Sequence, residues 1–399
     1  MTARELSDEA APLRVAFALG SATGGSARHV ATLVAGCRAA GLVVSVLAPA
    51  PTLALLSADG IEAFSLRITG RPRPASDVVT VVRLRKWLAS WRPDVVHAHG
   101  VRAGAFAALA MGSSTGESDR GRRGLAPRRP NRPALAVTVH NAPPVGRRGR
   151  LIYGVLERIC ARRADLVLCA SPDLAARMRD LGAAEVHQFD VPAPEAGQPS
   201  ADQVAKASAD VGAGDRPVVL AVARLAPQKG LDVLIDAAGR WRYRDPQPRT
   251  VIAGDGPLAA ALRAQATRVD ADVLLLGRRQ DVPALLEIAD VVVVPSRWEA
   301  RALILQEAMR SGKPIVATSV GGTPELVGHD GASGQDSALL IPPDDPAALA
   351  AAVTAVLDDP RLAARLRLAA RARSAAFPTE LDAVTAALAT YARLAASRS

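Results

Sequence analysis

The sequence predicts an α/β protein built from two doubly wound domains, each a parallel sheet with helices on its faces. Three observations carry that reading. Short β-branched apolar runs, the kind that fill parallel sheets, recur along the chain and are spaced mostly by helix-length segments. The series runs once, pauses in a Pro-, Ala- and Gly-rich stretch, and runs again. At 399 residues the chain also exceeds one typical core, which suggests roughly two or three domains.

In the first half, strands are expected at "LRVAFAL", "VVSVLAP", "DVVHAH", "ALAVTVH" and "LVLCAS". The segment 112–133 has six Arg, several Pro and Gly and no apolar periodicity, so a mobile loop is expected there. The stretch "VPAPEAGQPSADQVAKASADVGAGDRP" has the composition of a linker with at most one short helix. Strands then resume at "PVVLAVARL", "TVIAGDG", "DVLLLG", "DVVVVPS" and "PIVATSV". A terminal helix is expected over "TELDAVTAALATYARLAAS", which follows Pro378 and opens with a capping-box pattern at Thr379 and Asp382. The expected domains are therefore 1–192 and 216–378, joined by a linker at 193–215, with helix 379–399 packing back on the first.

Composition narrows the function classes. Apolar residues make up 49% and aromatics 3%, an ordinary globular balance that is neither collagen-like nor disordered. Three acids precede any apolar run at the amino terminus and no stretch nears the ~18 apolar residues of a membrane span, so a cytoplasmic protein is expected. Cys37, Cys160 and Cys169 lack metal-ligand spacing and read as buried thiols. The net charge of +10 is uneven: residues 1–215 hold 27 Lys and Arg against 19 acids, the remainder 22 against 20. Such a surplus suits nucleic acid, an anionic membrane or an acidic substrate. With just 12 aromatics and arginines clustered in loops outside any recognised motif, nucleic acid is not an expected partner.

Two glutamates in "RWEARALILQE" focus the search, because Glu299 follows a buried strand and Glu307 lies in the next helix. Strand carboxyl ends are where doubly wound proteins bind ligands, since free backbone N–H groups point there. Other chemistry-bearing residues follow strands in the same way. They are Gly24 and Gly25, His97 and His99, His140, Ser171, Arg224 and Lys229, Gly254 and Gly256, Gly277, and Gly321 with Gly322. Taken singly, each has a plain structural explanation: turn chemistry for the glycines, satisfied polar groups for the histidines, a solvated edge for the cations. Occurring in one order at one edge, they read as the lining of an interdomain cleft. No G-x-G-x-x-G follows the first strand, which argues against a dinucleotide oxidoreductase.

Assembled, these residues resemble the family 4 retaining glycosyltransferases of the GT-B fold, actinobacterial-like, from about residue 13 to 396. The motifs are "VARLAPQKGLDVLIDA", "GDGP", "DVVVVPSRWEARALILQEAM" and "GKPIVATSVGGTPEL", with "GSATGGSARHV", "VVHAHG" and "TVHN" in the first half. The resemblance implies two Rossmann-like domains facing across a cleft, and transfer of a hexose-type sugar from a nucleotide-diphosphate sugar, UDP- or GDP-linked. The acceptor would be a small molecule, a lipid-linked species or an envelope glycan, with neither metal nor cofactor. It also implies donor binding by Gly24, Gly25, Arg224, Lys229, Gly254, Gly256, Gly277, Glu299, Ala302, Leu303 and Glu307. Arg224 and Lys229 would stabilise the departing diphosphate, Glu307 the ribose hydroxyls and Glu299 the sugar hydroxyls. His140 would reach the sugar's primary hydroxyl, with His99 and Asn141 on the acceptor side. No general base stands out, and by resemblance the departing phosphate takes the acceptor's proton.

The chain departs from the family where E-G-F-G or E-G-L-P is usual, having Ala300, Arg301 and Ala302 after Glu299. A nucleotide-sugar epimerase of the same fold and a catalytically silent nucleotide-sugar-binding protein are the alternatives. "DAD" at 270–272 precedes its strand and reads as a solvated turn rather than a metal site. In "RRGRLIYGVLERICARR", residues 147–163, Leu151, Ile152, Val155, Leu156 and Ile159 recur at helical spacing among six arginines. That pattern fits either a core-facing helix or a basic face resting on anionic lipid, which would make the protein peripheral on the inner membrane face. The oligomeric state is not readable from the sequence.

Overall fold

A computed structural model describes residues 11–21, 25–56, 61–69, 73–112, 132–141, 147–195, 197–328 and 336–398. Gly24 and nearly all of the arginine-rich 112–133 segment lie outside the described residues. The chain divides into two compact units, Met1–Val191 with Glu380–Ser399, and Pro192–Thr379.

In the first unit the order is β1 (Arg14–Leu19), α1 (Gly25–Ala39), β2 (Val43–Ala48), α2 (Ala50–Leu56), β3 (Glu62–Ser65), α3 (Pro74–Trp91) and β4 (Val95–His99). It continues with α4 (Val101–Ala110), β5 (Ala134–Val139), α5 (Arg147–Arg163), β6 (Leu166–Cys169), α6 (Pro172–Asp180) and β7 (Val186–Gln188). The sheet is parallel, in the order β3-β2-β1-β4-β5-β6-β7. β4 and β5 are buried throughout, and β1 at every residue after half-buried Arg14, because helices cover both faces, which is why their sequences read as largely apolar runs.

The second unit begins before the expected boundary. Residues 193–215, expected to be a linker, contain α7 (Ala201–Val211), which opens with a Ser200–Gln203 capping box and packs Ala207 and Val211 into the core. The peptide N–H of Ala193 also donates to Gln306 Oε1 at 3.0 Å. The segment is therefore part of the second core, because two apolar residues one helical turn apart suffice to dock a capped helix.

β8 (Val218–Val222), α8 (Leu231–Gly239), β9 (Arg249–Ala253), α9 (Ala259–Arg268), β10 (Val273–Gly277), α10 (Val282–Ile288) and β11 (Val291–Val294) follow. Then come α11 (Leu303–Arg310), β12 (Ile315–Thr318), α12 (Thr323–Leu326), β13 (Leu339–Ile341), α13 (Pro346–Asp358) and α14 (Pro360–Ser374). The parallel sheet runs β10-β9-β8-β11-β12-β13. Alternate residues of one strand feed opposite cores: Val218 and Leu220 join α7, α10, α11 and α14, while Val219 and Ala221 join α8, α9 and α13.

The last helix, α15 (Glu380–Ala396), belongs to the first unit. Val384 fills the space left by Gly36 on α1, where an added Cβ would lie 2.4 Å from Val384 Cγ1. Fully buried Tyr391 meets His97 on β4.

Among the other expectations, the three cysteines are buried and free. Asp272 of "DAD" pairs with Arg216 at 2.6 Å and Arg249 at 2.8 Å, so it is a structural ion pair. The core-facing expectation for α5 fails for Leu151, Ile152 and Val155, which are exposed. The inward positions belong instead to Cys160 and to Glu157, fully buried and held bidentately by Arg177 at 2.8 and 2.6 Å. Among the described residues no helix is long and apolar enough to cross a membrane.

Candidate active site

The loops at the carboxyl edge of the second sheet are tied into one construction. After β8 the chain makes a short 3-10 turn, Pro227–Lys229, and enters α8 through Gly230. An added Cβ at Gly230, where φ is +60°, would lie 1.9 Å from the carbonyl oxygen of Pro295 after β11. Arg297 donates to both Asp232 oxygens, at 2.9 and 2.7 Å, and to the Pro227 carbonyl at 2.6 Å. From β12, Gly321 at φ +53° approaches so closely that a Cβ would sit 1.9 Å from the Glu299 carbonyl oxygen, and the N–H of Gly322 donates to that oxygen at 2.9 Å. Only residues without a side chain allow three loops this near each other.

The result is a fixed carboxylate. Glu299 Oε1 accepts from Lys229 Nζ at 2.5 Å and from Ser296 Oγ at 2.6 Å, and its side chain is 8% exposed. Oε2 makes no hydrogen bond among the described residues. Lys229 engages one of its three ammonium N–H donors here, leaving two for an anion. Arg224 is exposed in the loop after β8, and its guanidinium has no ion pair among the described residues.

Gly254 and Gly256 follow β9, and the N–H of Gly254 donates to the carbonyl of Gly277 at 2.7 Å. Ala302 caps α11, Leu303 opens it and Glu307 stands half-buried in its second turn. Neither Ala300 nor Ala302 adopts a positive φ, so alanine satisfies the loop where the family has glycine. Every expected donor residue that is described, apart from Gly25, thus lies at one edge of the second sheet, with Lys229 and Glu299 in direct contact.

The first unit holds a different cluster. Gly25 opens α1 after β1. Further along α1, His29 meets His99 and His140, with ring centroids 6.2 and 6.4 Å away. His99 Nδ1 and His140 Nε2 are 3.3 Å apart, their rings stacked. Beneath them His97 lies between Tyr391 Oη and Thr138 Oγ1, each at 2.6 Å. Burial holds His29 and His97 down at about 3 and His140 at about 4, with His99 well below the ordinary value. All four are neutral near pH 7, so they can hydrogen-bond to a polar ligand but bring no positive charge. Asn141 is exposed, and its backbone carbonyl accepts from the Tyr153 hydroxyl at 3.1 Å.

Sequence reasoning passed over His29, Ser296, Gly230 and Tyr391. Ser296 stands three residues before Glu299, a signal that could have found it; Tyr391 lies 294 residues from its partner and leaves none.

Comparison with known proteins places this construction. Residues 24–194 match the family described as glycosyl transferase 4-like domain, and residues 205–373 match glycosyl transferases group 1. Among solved structures, the sucrose-phosphate synthase of Thermosynechococcus elongatus superposes with a TM-score of 0.74 at 21% identity, covering 96% of this chain and all of that one. The Anabaena protein HepE in complex with UDP and glucose gives 0.76 at 21% identity, covering 95% and 99%. Among sequence relatives, the alpha-D-kanosaminyltransferase of Streptomyces kanamyceticus is 34% identical over 39% of this chain and 40% of its own length. A GDP-mannose-dependent phosphatidylinositol monomannoside mannosyltransferase of Mycolicibacterium smegmatis is 34% identical over 43% and 47%. The glycogen synthase of Mycobacterium tuberculosis is 32% identical over 71% and 65%. The alignments thus span between 40% and 65% of these relatives' lengths.

The fold defines a class, two Rossmann-like α/β domains of the GT-B kind. Within that class the chain belongs to the glycosyltransferases of family 4 type.

Proposed function

We propose that the chain is a retaining hexosyltransferase that takes its sugar from a UDP- or GDP-linked donor bound to the second unit and needs no metal. The supporting observation is the Lys229–Glu299 contact at 2.5 Å, which sets a cation for a leaving diphosphate beside a carboxylate for sugar hydroxyls. Relatives named for GDP-mannose and neighbours solved with UDP support the donor class.

In the proposed reaction the bond between the anomeric carbon and the diphosphate oxygen breaks, and its electron pair leaves with the diphosphate. Arg224 and the two remaining N–H donors of Lys229 stabilise that charge. The acceptor oxygen bonds to the anomeric carbon on the same face, and its proton passes to a departing phosphate oxygen. Glu299 Oε2 holds donor-sugar hydroxyls and Glu307 the ribose. The neutral histidines His29, His99 and His140 hydrogen-bond to the acceptor's or the sugar's hydroxyls. The acceptor is a small molecule, a lipid-linked species or an envelope glycan.

The test is donor turnover in variants. Arg224→Ala and Lys229→Ala should each lower it roughly 100- to 1,000-fold with the fold intact by circular dichroism. Near-normal rates in both remove the diphosphate site. Activity should persist in excess chelator, and an α-linked donor should give an α-linked product; an inverted product overturns the retaining mechanism.

A further inference from the structure

Two helices of the first unit present the same surface. At their fifth, sixth and ninth positions, α3 exposes Val78, Val79 and Val82, at 64, 57 and 48%, and α5 exposes Leu151, Ile152 and Val155, at 73, 43 and 51%. On each helix the stripe continues into cations, Arg85 and Lys86 on α3 and Arg158 and Arg162 on α5, all exposed. Residues spaced i, i+1, i+4 and i+7 share one helical face, so each helix carries aliphatic side chains toward its amino end and cations one or two turns beyond. None of the four cations is ion-paired among the described residues.

The two stripes belong to one layer. Nearly all of α4 is buried, and it packs against both α3 and α5. Both aliphatic groups lie toward helix amino ends, the side of the layer where the strands of this parallel sheet end. Ordinary core packing does not explain them. On α5 the inward positions are already filled by Glu157 and Cys160, and on α3 by Thr80, Leu84, Leu88 and Trp91.

An occupant of this face must be apolar at one depth and anionic a few ångströms away. Charge distribution selects among candidates. Leaving residues 113–131 aside, the first unit carries 23 Lys and Arg against 15 Asp and Glu, and the second 21 against 22. Two copies meeting through the first unit would therefore repel each other. A lipid surface with anionic headgroups fits both features: aliphatic side chains enter the acyl boundary while Lys and Arg extend to the phosphates. We infer that the α3–α5 face of the first unit rests reversibly on an anionic membrane surface. The inference holds whichever sugar is transferred, and the 113–131 segment plays no part in it.

The test is sedimentation of the full chain with vesicles of phosphatidylglycerol in phosphatidylcholine, and of phosphatidylcholine alone, at low and high salt. Recovery should require the anionic lipid and fall at high salt. Val79→Ser with Ile152→Ser should weaken it, and replacing Lys86 and Arg158 with Gln should lower the partition coefficient roughly fivefold per cation removed. Circular dichroism melts should match the parent, and donor turnover without vesicles should be unchanged, since none of these residues is in the proposed donor site. Equal recovery with both lipids, or variants that bind like the parent, would overturn the inference. So would a concentration-dependent dimer in the ultracentrifuge that Val79→Ser with Ile152→Ser abolishes, because the face would then be covered by a second copy.

Discussion

Acid should unfold the first unit before the second, because its clustered buried histidines are held neutral. Burial lowers His29 and His97 from 6.5 to about 3 and His140 to about 4. For such a group the unfolded chain takes up the proton first as pH falls. Stability is therefore flat above about 6.5 and declines through the window down to about 3 to 4. Between about pH 8 and pH 5 each of the three contributes a loss of about 2 kcal/mol, roughly 6 kcal/mol together, against a typical domain stability of about 5–15 kcal/mol. His99, shifted the same way, adds to the loss. The assay is urea unfolding at a series of pH values, read by hydrogen exchange on peptides of β4 and β5, with β11 and β12 of the second unit as the internal control. A β4 and β5 stability that stays level from pH 8 to pH 5 would mean instead that the cluster accepts protons in place and is not held neutral by burial.

Other outcomes follow from single contacts. Arg177→Met leaves Glu157 as a buried carboxylate without its partner and should cost the first unit about 3–5 kcal/mol in denaturant titration, with Arg177→Met/Glu157→Leu recovering most of it. Gly321→Ala drives a Cβ against the Glu299 carbonyl at a left-handed φ, so calorimetry with UDP or GDP should show at least ~10-fold weaker binding while the melt of the first unit is unchanged. Glu307→Ala removes the carboxylate assigned to the ribose, and the donor KM should rise roughly 10- to 100-fold with kcat less affected.

Much of the fold was legible because strands buried on both faces must be apolar at nearly every position, as in "DVVVVPS" at β11. The edge strands β3, β7 and β13 were not legible. They are three or four residues long, and β3 and β7 carry exposed polar residues such as Glu62 and Gln188, so their conformation comes from pairing with a neighbour rather than from their own pattern. In α7 two inward residues were too few to separate a docked helix from a linker. On α5 the periodicity gave the stripe but not the direction it faces, because a fully buried glutamate is intelligible only once Arg177 of α6 is beside it. At the site, strand-end position was enough to single out Lys229 and Glu299 individually. Their 2.5 Å contact depends on glycines at 230 and 321 that let loops from β8, β11 and β12 touch, an arrangement spread over about ninety residues of sequence.

The central claim, that Lys229 and Glu299 belong to a nucleoside-diphosphate-sugar site on the second unit, is tested most directly by thermal shift. UDP-, GDP- and ADP-sugars would be titrated against the parent, Lys229→Ala and Glu299→Gln. One nucleotide class should stabilise the parent, by about 2.7 kcal/mol at 100 times its dissociation constant. At that concentration both variants should respond far less, although their own unliganded melts remain cooperative. A parent that responds to none of the three classes, or variants that respond as fully as the parent, would contradict it.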